Sequence, residues 1–193
     1  MSNIESLTLA ELMAVTPGEG PDRFVGLSDA YGAMGVYGGH LIGQALGAVF
    51  QTVDEPKRAQ SFHAYFINPG DAVVPIEYHV SRLREGRNSD LRQIQAWQNG
   101  KLVFQMTAAF KLSEAADEHQ TMMPWVEAPE TLKENAIAAG TQFAPPPTKS
   151  GRSEMVLASD HFMREDSVAG REAMLRLWMG CSGSGWDAWD RKH

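Results

Sequence analysis

The sequence holds a single cysteine, Cys181, among 193 residues. One thiol excludes an intrachain disulfide and fits a reducing compartment. Basic residues are in the minority: 17 Lys and Arg stand against 24 Asp and Glu, a formal net charge of −7. That balance argues against general attraction to nucleic acid or anionic lipid, and leaves a local basic patch as the way to hold an anion. Long apolar runs are absent, and none approaches the ~18 residues of a membrane span. The opening MSNIESLTLAEL carries acids where a signal peptide would be basic, so the cytoplasm is the expected location. No spacing of His, Cys and Asp resembles a metal site, and no phosphate-binding GxxxxGKS/T loop occurs. The run GCSGS at 180–184 falls one glycine short of a nucleophile elbow and precedes no predicted helix. The hydrophobic fraction of 43% and aromatic fraction of 9% are those of a globular protein, and the length suits one ordinary domain rather than two full ones.

Thr8 and Glu11 have the T-x-x-E spacing of a capping box, which predicts a short helix to about Val15, stopped by Pro17-Gly18. Arg23 to Leu27 reads as a short strand, and Gly32, Gly35, Gly38 and Gly39 follow. From His40 to Gln51, Leu41, Ile42, Ala45, Leu46, Val49 and Phe50 recur at helical period and form a wide apolar stripe. Gly43 and Gly47 share a face where another backbone can come close, and each costs about 1 kcal/mol of helix propensity. A helix this apolar needs to be wrapped.

Strands follow it. Ser61 to Ile67 is the first, closed by the turn residues Asn68-Pro69-Gly70-Asp71. In Pro75 to Arg84, Ile76, Tyr78 and Val80 alternate with Glu77, His79 and Ser81. Asn99-Gly100 suits a type I′ hairpin turn. After it, Leu102, Phe104, Met106, Ala108 and Phe110 share one face; before it, Ile94 and Ala96 do so less clearly. One long helix followed by long antiparallel strands is an α+β pattern, with the helix in the concave face of a twisted sheet. Residues 113–153, with the run Ala144-Pro-Pro-Pro147, read as linker, and Glu172 to Met179 as a returning strand.

The segments VYGGHLIGQAL (36–46), SFHAYFINPGD (61–71), LREGRNSDLRQIQAWQNG (83–100) and LVFQMTAAF (102–110) resemble the first half of acyl-CoA thioesterase II enzymes. DEHQTMMPWVEAPETL (117–132) resembles that family's inter-domain linker, and REAMLRLWMG (171–180) the opening strand of its second half. The resemblance implies a hotdog fold, an antiparallel sheet around one long central helix. It divides the chain into a hotdog domain at 1–112, a linker at 113–170, and the truncated start of a second hotdog at 171–193. It further implies hydrolysis of fatty acyl-CoA to free acid and CoA by water attack, with no cofactor beyond the CoA of the substrate. The family's Asp, Thr or Ser, and Gln, which activate the water, fall after the strand that residues 171–180 resemble. Ala158-Ser159-Asp160 imitates the Ser-Asp pair but precedes that strand, so the role is not carried over. Gln60 stands where the family commonly has His, Asn88-Ser89 where Ser-Phe is usual, and His63 is retained.

Thioester hydrolysis needs a placed water, a base, and donors for the developing oxyanion. The amides of Gly38, Gly39 and His40 open the central helix and offer such donors; alternatively the glycines only permit a tight helix entry. Arg82, Arg84, Arg87 and Arg92 suit the phosphates of CoA, or else form a solvated strand edge. His63 is a catalytic candidate set against a buried core histidine, His79 alternates outward as surface, and Met106 and Phe110 read as core or acyl-tunnel wall. The expected protein is a thioesterase-type subunit; the alternative is a non-catalytic hotdog subunit or fragment that binds acyl groups or a partner. The hydratase branch of the fold is set aside because its paired Asp/His motif is absent. A lone hotdog leaves a sheet edge unpaired, so a homo-oligomer or a separate second-hotdog chain is expected, without nucleic acid or membrane span.

Overall fold

The computed structural model describes residues 7–29, 35–123, 125–139, 153–157 and 177–181. Two compact units divide the chain, Met1–Asp117 and Glu118–His193.

In the first unit, helix α1 (Leu9–Met13) is followed by strands β1 (Val15–Pro17) and β2 (Arg23–Gly26), helix α2 (Gly38–Phe50), and strands β3 (Arg58–Phe66), β4 (Ile76–Glu85), β5 (Ser89–Gln98) and β6 (Lys101–Lys111). The strands form one antiparallel sheet in the order β1-β2-β4-β5-β6-β3. The capping box is present: the Glu11 amide donates to Thr8 Oγ1 at 3.2 Å, and Thr8 N–H to Glu11 Oε2 at 2.8 Å. The helix it opens is shorter than expected. It stops at Met13 because Val15 to Pro17 pair with Phe24 to Gly26, and strand bonding claims that backbone.

Asn99 and Gly100 both have positive φ, 49° and 72°, as a type I′ turn requires, and they join β5 to β6. Alternation then fixes the faces. Ile76, Tyr78 and Val80 of β4, Ile94 and Ala96 of β5, and Phe104, Met106, Ala108 and Phe110 of β6 are all buried against α2. Full burial of each large apolar side chain contributes about 1.5–3 kcal/mol. Leu102 does not join that face as expected. The register shifts between Ala96 and Trp97, so Val103 is inserted into the ladder and is buried while Leu102 is only half-buried.

Helix α2 buries His40, Leu41, Gln44, Ala45, Ala48 and Val49. The last residue of its apolar stripe, Phe50, is 46% exposed although its ring meets that of Phe110 edge-on. Gly43 is where another chain segment comes close: a Cβ there would lie 2.5 Å from Met13 Sδ, so α1 rests on the glycine face.

The second unit contains helix α3 (Pro129–Ala139) and strands β7 (Ser153–Leu157) and β8 (Leu177–Cys181), the two strands pairing antiparallel. Helix and strand thus occur within the stretch read from sequence as linker. The expected strand at Glu172 to Met179 appears from Leu177 on; residues 172–176, Ala144–Pro147, Ala158–Asp160 and 182–184 lie outside the described residues.

Candidate functional site

Helix α2 begins without a side-chain cap, at Tyr37. The carbonyl of Tyr37 takes the amides of His40 at 3.0 Å and Leu41 at 3.3 Å, so the His40 N–H is occupied. The amides of Gly38 and Gly39 make no backbone or side-chain bond among the described residues, which leaves two donors and the positive end of the helix dipole at this point. Both glycines lie under exposed aromatic rings, which a side chain at either position would have to displace. A Cβ on Gly38 would sit 2.8 Å from the Phe66 ring, and one on Gly39 2.6 Å from the Tyr37 ring. The glycine pair that signalled helix entry thus lies beneath two aromatic rings at the helix end.

Behind this end lies a buried polar cluster. His40 is 4% exposed and its Nε2 bonds the Leu27 carbonyl at 2.8 Å. Gln44, fully buried, donates Nε2 to the carbonyls of Leu12 (2.7 Å) and Leu27 (2.9 Å), while its Oε1 accepts the Tyr78 hydroxyl at 3.0 Å. Burial pushes the Tyr78 hydroxyl well above its ordinary pKa of 10.0, so it stays a donor. The sequence offered no signal for this role of Gln44, a polar residue inside an apolar helix pattern. Gln98 acts similarly at the end of β5. It is 4% exposed, accepts the Asp71 amide at 2.8 Å, and donates to the carbonyls of Asp71 and Val74 and to Ser28 Oγ. Gln44 and Gln98 together fix the segments at Leu27–Ser28 and Gly70–Val74 that flank the start of α2.

The four arginines separate into different roles. Arg92 is 1% exposed and all five of its N–H groups are used: Nε on Thr52 Oγ1, Nη1 on the Arg84 and Leu91 carbonyls, Nη2 on the Thr52 carbonyl and Glu85. It ties the end of α2 to β4 and is not presented to a ligand, which corrects its expected place among phosphate contacts. Arg82 is held by Asp22 through two bonds of 2.8 and 3.0 Å and by Glu85 at 2.9 Å. That pairing draws the Asp22 carboxyl below its usual range. Arg84 and Arg87 are exposed and make no ion pair among the described residues. Beneath them Asp90, its side chain 3% exposed, accepts Lys57 Nζ on both oxygens at 2.8 Å and the Gly86 amide at 3.0 Å. Burial pushes the Asp90 carboxyl up, but Lys57, the Gly86 amide and Arg92 outweigh it, and its pKa lies below 3.8.

His63 is exposed on β3 with its ring 4.7 Å from that of Tyr65, not in the core as its strand position suggested. The reason is topological: β3 is an edge strand, and its pattern is exposed at every residue but Ala64. His79, read as plain surface, is half-buried and stacks on Trp97 at 6.0 Å. Desolvation first, and the charge of Arg23 second, hold the His79 imidazolium below its ordinary pKa, against an opposing pull from Glu77.

These candidates do not converge. Phe66, which covers Gly38, pairs with Phe104; Phe50, at the far end of α2, packs on Phe110 at 5.3 Å. Phe104 and Phe110 are about 20 Å apart at roughly 3.3 Å per strand residue. The helix N-terminus and the arginine hairpin thus stand at opposite ends of the sheet. Between them runs an exposed apolar strip. Tyr37, Phe62 and Phe66 are 59%, 48% and 58% exposed, and Phe62 and Phe66 lie opposite the buried Ala108 and Phe104, on the α2 side of the sheet.

Comparison with known proteins fits this arrangement. Residues 27–111 match the model of the acyl-CoA thioesterase N-terminal domain. The chain is 40% identical over 114 residues to acyl-CoA thioesterase 2 of Haemophilus influenzae, covering 59% of this chain and 40% of that protein. It is 40% identical over 98 residues to acyl-coenzyme A thioesterase 8 of Mus musculus, covering 50% of this chain and 31% of the relative. The chain thus spans well under half the length of either. Among crystal structures, a hot dog fold protein of unknown function from Alicyclobacillus acidocaldarius superposes with a TM-score of 0.72 at 21% identity, over 91% of this chain and 64% of that one. An acyl-CoA thioesterase II from Mycobacterium marinum gives a TM-score of 0.67 at 24% identity, over 88% and 58%. Likenesses at this identity establish the hotdog fold. Residues 27–111 are thus similar to the N-terminal domain of acyl-CoA thioesterases, on a hotdog fold.

Proposed function

We propose that this chain supplies one hotdog unit to the hydrolysis of fatty acyl-CoA to free acid and CoA. The observation that carries the reading is the thioesterase-domain match over residues 27–111, on a fold whose apolar strip runs from the α2 N-terminus along β3. In this reading the acyl chain lies on Tyr37, Phe62 and Phe66, and the amides of Gly38 and Gly39 donate to the thioester oxygen as negative charge develops there. One such donor is worth about 10²–10³ in rate. Gly39 takes this role rather than His40, whose amide is already bonded to Tyr37. His63 shares the other face of β3 with Tyr65, across the sheet from the strip, and takes no part in this reading. Arg84 and Arg87 are the members of the arginine cluster left to meet the CoA phosphates.

The base that takes the proton from water comes from a second hotdog, in another copy or another chain. Strand β3 supports this: among the described residues its outer edge has no strand partner, and it exposes Phe62 and Phe66 on one face and Tyr65 on the other. An acyl chain covers one face; only a partner that continues the sheet covers both. A second copy or a separate second-hotdog chain fits this need. The cytoplasm, where acyl-CoA is available and thiols stay reduced, is the proposed setting; among the described residues no helix is long and apolar enough to cross a membrane.

The test is thiol release from medium- and long-chain acyl-CoA, with the chain alone and mixed with a second-hotdog chain. Release on mixing is the expected result. Saturable binding of a non-hydrolysable acyl-CoA thioether without release in any mixture would favour the alternative, a non-catalytic acyl-binding subunit. That alternative draws on the chain's span of 40% or less of its curated relatives. Neither release nor binding refutes both.

A further inference from the structure

The face of the sheet turned away from α2 carries a separate group of titratable side chains. Arg23 of β2 lies directly opposite His79 of β4, and Val25 opposite Glu77. Directly opposed residues share a face. It is the outer one, because the alternate positions Phe24, Ile76 and Tyr78 are buried in the core with α2. The turn at 18–22, which joins β1 to β2, reaches the same face and brings Glu19 to it. Glu19, Arg23, Val25, Glu77 and His79 border one cleft of about 390 Å³. Small-molecule sites occupy about 300–1,000 Å³.

The wall formed by the turn is held in place. The Gly18 amide donates to the Arg23 carbonyl at 2.8 Å, and Gly20 and Asp22 take φ of 103° and 54° to close the turn. Asp22 then ties it to β4. Its carbonyl accepts the Val80 amide at 2.9 Å, and its carboxylate takes Arg82 through two bonds. Little ordering cost therefore falls on a ligand that enters. The charges around the cleft are of both signs and are not neutralised by one another. Arg23 and Glu19 make no ion pair among the described residues, and Glu77 reaches only His79, at 3.7 Å. Desolvation and then the charge of Arg23 keep that imidazole neutral at pH 7. One guanidinium and two carboxylates remain. Arg23 and Glu77 are diagonal neighbours, about 7–8 Å apart, and their side chains leave the gap open.

Unlike charges held around one open gap match a molecule that carries both signs. A simple anion would leave the carboxylates unmet, and a simple amine would leave the guanidinium unmet. We propose that this cleft binds a small zwitterionic amino acid with an apolar side chain. Its carboxylate meets Arg23 through paired bonds, its ammonium lies between Glu19 and Glu77, and its side chain rests on Val25 and the His79 ring. The site lies across the sheet from the acyl strip and stands independently of the proposed hydrolysis.

Titration of the isotope-labelled full chain with L-phenylalanine, followed by NMR, tests it. Saturable shifts are expected at residues 18–25 and 77–79, and at the indole N–H of Trp97, on which His79 stacks. Phenylacetate, which lacks the ammonium, and phenethylamine, which lacks the carboxylate, should each bind about tenfold more weakly, the loss of one charged hydrogen bond or more. The variants R23Q and E19Q/E77Q should weaken L-phenylalanine by a similar factor. K111Q, at the far end of β6, should leave it unchanged. Glu19, Arg23 and Glu77 are exposed, so circular dichroism should report the same fold for each variant. Absence of saturable binding overturns the proposal. So does binding of phenylacetate or phenethylamine as tight as that of L-phenylalanine, or wild-type affinity in both R23Q and E19Q/E77Q.

Discussion

Replacing Asp90 with alanine removes one carboxylate that three segments share: Lys57 before β3, Gly86 in the β4–β5 turn, and Arg92 in β5, 3.8 Å away. Removing one partner of a buried pair costs about 3–5 kcal/mol, since it strands the other charge. Two features place Asp90→Ala at the lower end of that range. The Lys57 side chain is 11% exposed and has a route to water, and Arg92 keeps its bonds to Thr52, Arg84 and Glu85. The expected loss is therefore about 3 kcal/mol, a fall of roughly 1.5 M in the urea midpoint at a slope of about 2 kcal/mol/M. Urea unfolding followed by circular dichroism measures it. The slope should not change, because the folded state keeps its extent. Adding Lys57→Met should cost less in the Asp90→Ala background than in the wild type, a coupling of about 1 kcal/mol or more. A loss under about 1 kcal/mol, or additive single variants, would refute the view that this carboxylate is a buried structural hub.

Two glycines should respond to alanine for different reasons. Gly100→Ala meets nothing within 4 Å but keeps a φ of +72°, so it should cost about 1 kcal/mol through backbone strain alone. Gly26→Ala drives a methyl into the Gln44 amide, breaks the Tyr78 and Leu27 bonds, and should cost more than about 2 kcal/mol in the same urea assay. The acid limb of stability follows from Asp22 and Asp90. Both carboxyls lie below 3.8 in the folded chain, so their contribution is complete above that value and is lost as pH falls through the folded values. Urea midpoints should hold between pH 6 and 4.5 and drop by pH 3, and Asp90→Ala should flatten that drop; an equal drop in the variant would count against the assignment. Tyr65→Lys on the β3 edge should shift the chain toward monomer in analytical ultracentrifugation, and an unchanged mass distribution would argue that β3 is not where copies or partners join.

Local pattern was sufficient for much of the architecture. The capping box at Thr8 and Glu11, the Asn99-Gly100 turn, the alternation in β4 to β6 and the glycine face of α2 each depend on residues close in sequence. The resemblance carried by residues 36–110 supplied the hotdog topology and the likeness to a thioesterase N-terminal domain. Tertiary structure decided what each candidate side chain does. Arg92 and Arg84 look alike in sequence, yet an inward position beside Thr52 buries one, while the register shift between Arg82 and Arg84 turns the other outward. His63 has the pattern of a core residue and is exposed, because sheet order leaves β3 at an edge. Gln44 is buried only because the Leu12 and Leu27 carbonyls and the Tyr78 hydroxyl meet there from three distant segments. Spacing along a chain sets which way a side chain points within its own element. Whether it meets water, a charge or a carbonyl is set by segments that arrive from elsewhere in the sequence, and only folding brings those together.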